Sequence, residues 1–280
     1  MSEPNELPTL FPILKHLDKE IGDLLEMRKA SDSAWQEGAQ EFLSHTSKLT
    51  AELRLRRQWV AALLLMGGSN TEEGDFPECV AIGNEEDGFF ASGVLLTKDW
   101  LLTSSDARAA TRLFAGIDIT GRPNCSEIEF HAENDLLALF KVKDCPVDVV
   151  PPLFPPQDGC FLVPGTPMEV VAFGNIDSGG GTFGRQRQAS FVVEDAGDVR
   201  IYASSESGIC TGDSGGPAFY GDAKKKPRLL LGIADSVIGD DCDLGGVFAT
   251  LVGKLTWINQ MTKLTFHAGK CPDLSDLREE

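Results

Sequence analysis

The sequence predicts a mostly β fold with helix at both ends, and three patterns predict it. Up to about residue 60, apolar residues recur at helical spacing. From about Trp59, short β-branched and aromatic runs alternate with Gly, Pro, Asn and Asp clusters, the mark of an all-β domain. Near the end, one helical stretch returns over 252–262. The expected organisation is a helical hairpin at 1–60, a β domain at 61–264 and a polar tail at 265–280.

The elements follow in order. Leu10, Leu14, Leu17, Ile21, Leu24 and Leu25 share one face of a first helix. Ser31-Asp32-Ser33 breaks it, and Ser33 with Gln36 forms a capping box that satisfies the free amides of a second helix. That helix turns Trp35, Ala39, Phe42, Leu43, Leu49 and Leu53 to one side. Its apolar face either packs on the following domain or docks on another protein. Strands are expected at 89–97, 136–142, 168–173, 189–193, 229–233 and 247–251. The tail from His267 to Glu280 reads as polar and loose.

Charge narrows the partners. The 280-residue chain carries a formal net charge of −18, which repels nucleic acid phosphates and anionic lipid heads. The first residues lack a basic region and are broken by Pro4, Pro8 and Pro12, so no secretory signal is read. The apolar run from Val60 to Met66 is too short to cross a bilayer. Seven cysteines, an odd number with wide spacing and no CxxC pair, read as a poor zinc or disulfide framework. The expectation is a reducing, cytoplasmic compartment, with no cofactor and no metal.

The most informative stretch is Cys210-Thr211-Gly212-Asp213-Ser214-Gly215-Gly216-Pro217. Glycines on both sides of one serine allow a tight turn that presents the hydroxyl and aims backbone amides inward. Such amides form an oxyanion hole, here from Gly212 and Ser214, for a tetrahedral acyl intermediate.

With this motif the chain resembles the chymotrypsin/trypsin family of serine proteases, from about Leu65 to Met261. Ser92-Gly93-Val94-Leu95-Leu96 and Trp100-Leu101-Leu102-Thr103 resemble the strand pair before the family's catalytic histidine. Asp135-Leu136-Leu137-Ala138-Leu139 resembles the strand that bears the catalytic aspartate. Gly246-Val247-Phe248-Ala249-Thr250 and Trp257-Ile258 resemble the closing strand and final helix. The resemblance implies a trypsin-like double antiparallel β-barrel of six strands each, with the site in the cleft between them.

Against that family the chain departs at the chemistry. Thr103-Ser104-Ser105-Asp106-Ala107 stands where the family has Thr-Ala-Ala-His-Cys, so Asp106 replaces the general base. A carboxylate is a weak base for a serine proton and would face Asp135, a second carboxylate. Loss of a triad member typically lowers turnover by about 10⁴ to 10⁶. Of four histidines, His131 is near a triad position, as a structural residue at a strand end or a displaced base. The resemblance also implies that Asp213 pairs with a new N-terminus after cleavage. Leu65 aligns with that terminus, yet Leu64 precedes it and the nearest upstream basic residue is Arg57. Asp213 therefore needs another partner, and without one a malformed oxyanion hole is expected.

Further departures touch the groove and the cysteines. Gly208 occupies the charge-determining position of the primary specificity pocket, which Asp235, Val237 and Gly246 also line by resemblance. Ala91 and Ala107 replace both halves of one family disulfide, and Met168 and Tyr220 both halves of another. Only Cys210 and Cys242 match a family pair, as a bridge or as free thiols. The resulting expectation is an inactive or severely impaired homologue that binds protein partners through the N-terminal helices or the degenerate cleft. The alternative is an intracellular serine endopeptidase using Ser214 with a non-standard or partner-completed base.

Overall fold

The computed structural model describes residues 68–120, 124–174, 184–205, 207–221, 226–237, 242 and 245–271. The expected helical hairpin at 1–60 and the end of the tail lie outside these residues. A short strand β1 (Ser69–Asn70) leads into two closed antiparallel barrels.

The first barrel comprises β2 (Cys79–Asn84), β3 (Gly88–Thr97), β4 (Trp100–Ser104), β5 (Arg112–Ala115), β6 (Asn124–Asn134) and β7 (Leu137–Lys143). Its strand order is β2-β3-β4-β7-β6-β5. The second comprises β8 (Pro167–Ala172), β9 (Arg187–Ala196), β10 (Arg200–Ser204), β11 (Pro217–Tyr220), β12 (Leu230–Val237) and β13 (Gly246–Thr250). Its order is β9-β10-β13-β12-β11-β8, closed by pairing of β8 with β9, and β1 adds to the outer edge of β9.

The continuous apolar runs follow from burial on both strand faces. Side chains alternate across a strand. In Val94-Leu95-Leu96, Leu95 enters the first barrel with Ile82, Leu101, Leu113 and Phe140. Val94 and Leu96 point the other way, into a shared core with Leu102, Phe173, Phe219 and Ile233. The second barrel holds its own interior around Met168, Phe191, Ile201, Leu231 and Phe248. Each such buried side chain contributes about 1.5–3 kcal/mol. The shared core thus clamps the barrels together, and β3, β4 and β12 meet the Ser214 turn where that core reaches the surface.

A helix α1 (Leu255–Thr262) follows β13 and inserts Ile258 into the shared core. It starts three residues later than the periodicity suggests, because Gly253 has φ +75° and Lys254 N–H bonds back to the Leu251 carbonyl in a tight turn. Lys263, with φ 61°, ends it.

The tail is not loose as far as it is described. Phe266 is 5% exposed and packs edge-on against Phe154. Phe154 N–H donates to the His267 carbonyl, and Gly269 N–H donates to the Phe154 carbonyl. Cys271 is bridged to Cys160. The cysteines therefore do make a disulfide framework, with Cys210–Cys242 as the second bridge. The sequence count misled because one bridge joins residues 111 apart, and three thiols, Cys79, Cys125 and Cys145, remain free.

Candidate functional site

The Ser214 turn is built by backbone geometry. Gly212 and Gly215 have φ +94° and +89°, a region costly for side-chain-bearing residues. A Cβ at Gly215 would also collide with the Ser92 carbonyl and the Thr103 hydroxyl. The turn is tied to both barrels. Ser92 N–H donates to the Ser214 carbonyl at 2.8 Å, and Gly215 N–H to the Ala234 carbonyl at 2.7 Å. Ser92 is the hub: its buried hydroxyl donates to the Gly212 carbonyl at 2.8 Å and accepts from Phe173 N–H at 3.0 Å. Among the described residues, the amides of Gly212 and Ser214 donate to no protein acceptor.

Asp213 has found partners in place of an ammonium. Its carboxylate accepts from Gly174 N–H and Cys210 N–H, each at 2.7 Å. Burial pushes its pKa up to about 6, against the pull of those two amides and of the Arg187 guanidinium. Arg187 itself donates to the Gly68 carbonyl, next to the start of the barrel domain. Sequence reading missed both Arg187 and Ser92, since nothing local marks either.

Among the described residues, no hydrogen bond joins Ser214, Asp106 and Asp135 to one another. The half-buried Ser214 hydroxyl makes a long bond, 3.4 Å, to the Asp235 carbonyl. Asp106 lies exposed on a 3₁₀ turn (Ser105–Ala107), its N–H donating to Ser104 Oγ. Asp135, with φ 52° and a half-exposed side chain, turns its carboxylate to the Lys254 ammonium, which also donates to Asn134 Oδ1 at 3.1 Å. Asp135 thus has a cation beside it, Lys254, whatever its separation from Asp106. Burial raises the Asp235 pKa, opposed first by Arg200 and then by the Ser236 hydroxyl, with a smaller upward push from Asp106. The Asp235 side chain is 8% exposed, with Arg200 Nε 3.7 Å away.

His131 is exposed and stacks edge-on against Trp100, ring centroids 4.9 Å apart. Among the described residues no hydrogen bond joins it to Ser214 or Asp135. At the specificity positions, Gly208 is half-buried, and Val237 pairs across the sheet with Gly246. Ile209, which sequence reading passed over, is 4% exposed and presses on Gly246 so closely that a Cβ there would meet its Cγ1 at 2.8 Å. Cys210 and Cys242 form the bridge rather than free thiols.

Among the described residues, the grouping that offers three metal-type ligands is Asp158, Cys160 and Cys271, with its two sulfurs bonded to each other.

No curated protein matches the chain. The family model described as Trypsin matches residues 65–258, beginning at the leucine that the resemblance aligned with a new N-terminus. That span holds both barrels, the Ser214 turn, Asp106 and Asp135, and on it the chain belongs to the trypsin family.

Proposed function

We propose that this protein is a catalytically inactive, or severely impaired, member of its family that serves as a protein-binding or regulatory module. One observation carries the reading: no imidazole among the described residues bonds the Ser214 hydroxyl, whose hydrogen bond goes to a backbone carbonyl at 3.4 Å. Without a base the serine keeps its proton at neutral pH and does not attack a carbonyl. A further observation supports it: Asp135 is engaged by Lys254 and not by a base. Fold alone does not dictate chemistry, so a cleft that has lost its base can still serve as a contact surface for a protein ligand.

A second reading, a serine hydrolase whose base is supplied by a partner, is favoured by the open amides of Gly212 and Ser214. A fluorophosphonate probe separates the two when it is applied to the purified protein and again in whole lysate of the native host, where a partner is present. The expected result in both settings is no labelling above that of Ser214→Ala. Serine-dependent labelling overturns the inactive reading.

A further inference from the structure

The Cys160–Cys271 bridge differs from Cys210–Cys242 in two ways. First, it is more reachable: Cys160 is half-buried and Cys271 exposed, whereas Cys242 is half-buried and Cys210 buried. Exposed bridges are the ones that thiol reductants open. Second, a carboxylate stands beside it. The two sulfurs and an Asp158 carboxylate oxygen all lie within 4.8 Å of one another. Cys160 N–H donates to Asp158 Oδ1 at 3.3 Å, which holds the carboxylate on the sulfur side of the turn.

We propose that Asp158, Cys160 and Cys271 form a redox-gated site for a thiophilic divalent cation of the zinc type, closed while the bridge is made and opened by its reduction. Reduction by a dithiol breaks the S–S bond. Two electrons and two protons pass to Cys160 and Cys271, and the reductant leaves as its own disulfide. The cation then displaces both thiol protons and takes two thiolates and one carboxylate, leaving a fourth tetrahedral position for water. Zinc–sulfur bonds of about 2.3 Å set the two sulfurs roughly 3.8 Å apart. The Cα atoms are 5.9 Å apart, so side-chain rotation alone accommodates that separation.

The site persists without the bridge because other bonds hold its two strands. Phe154 N–H to the His267 carbonyl and Gly269 N–H to the Phe154 carbonyl, at 3.0 and 2.8 Å, stitch the tail to the segment before Cys160. The Phe154 and Phe266 rings, 5.6 Å apart, and the Asn259 side chain bonded to Phe266 at both N and O anchor it from the core side.

The test uses the full chain, reduced with a phosphine, desalted without air and titrated with Co²⁺ alone. Reduced wild type is expected to take up cobalt with a thiolate-to-metal charge-transfer band. The band disappears in the Cys160→Ser/Cys271→Ser double variant and in unreduced protein. Asp158→Ala binds about tenfold more weakly or worse. A band in reduced wild type no larger than in the double variant overturns the proposal. Because losing the bridge also affects stability, a second readout follows alkylation by peptide mapping. Bound Zn²⁺ should slow iodoacetamide at Cys160 and Cys271 at least about tenfold while exposed Cys125 reacts as before. Equal rates with and without Zn²⁺ refute the site.

Discussion

Asp213 makes the stability of this protein depend on pH in an unusual direction. A buried carboxylate held by hydrogen bonds commonly has a lowered pKa, so that acid destabilises the fold. Here burial outweighs the Gly174 and Cys210 amides and Arg187, and the pKa rises from 3.8 to about 6. The folded state then binds a proton more readily than the unfolded chain, so this group adds stability as pH falls below about 6. That added stability is fully present below the unfolded value of 3.8 and lost as pH rises through about 6. Two pKa units correspond to about 3 kcal/mol at the acid limit. Between pH 7.5 and 5, part of that range is crossed, worth about 1–2 kcal/mol.

Asp213→Asn removes the titration while keeping the shape. Urea unfolding of both proteins at the two pH values, disulfides intact, gives the stability gap between them. Other groups titrate alike in both and cancel in the gap. Wild type should gain about 1–2 kcal/mol relative to the variant on going from pH 7.5 to 5. A gap that does not move refutes the dominance of burial. A gap that moves the other way means the two amides and Arg187 win, and that Asp213 is an ordinary ion-pairing carboxylate.

Two other perturbations test the frame and the site. Arg228 and Glu78 form a buried ion pair, with side chains 4% and 6% exposed, and the guanidinium lies 4.4 Å from the Phe76 ring centroid. Arg228→Met strands Glu78 and should cost about 3–5 kcal/mol in urea unfolding, whereas adding Glu78→Leu should recover much of it; additive losses in the double variant would contradict this. Asp106→His should leave hydrolysis of a chromogenic ester within about tenfold of background, because Asp135 is bound to Lys254 and does not orient the new imidazole. A gain of about 10³-fold or more from that single change would show that Asp135 swings back at little cost.

What was legible in the sequence was local. Val94-Leu95-Leu96 and the alternation around it announce a strand buried on both faces, and the closely spaced glycines around Ser214 announce a turn whatever surrounds them. Long-range pairing leaves no such trace. Lys254 meets Asp135 across 119 residues, and nothing near either one signals the other. The Cys160–Cys271 bridge was hidden in the same way. β6 escaped notice because Glu127 and Glu129 interrupt its apolar residues, although they alternate outward from buried Ser126 and Ile128 as a strand requires. The described stretch 265–271 packs against expectation because a single aromatic, Phe266, carries its anchoring among polar neighbours.

The motif around Ser214 reports fold more than chemistry, and that too can be measured. The bonds that hold the turn use the backbone of Ser214 and Gly215 and the side chain of Ser92. The Ser214 hydroxyl contributes only its 3.4 Å contact, at the weak end of hydrogen bonding. Ser214→Ala should therefore change stability by no more than about 0.5 kcal/mol. Ser92→Ala strands the Gly212 carbonyl and the Phe173 amide and should cost about 1–3 kcal/mol. The hydroxyl that defines the family's chemistry is then dispensable to the fold, while a buried serine outside the motif is not. If Ser214→Ala proved the more damaging of the two, the hydroxyl would have to be engaged by a group outside the described residues, and a base supplied from there would become the leading explanation of why the serine is present.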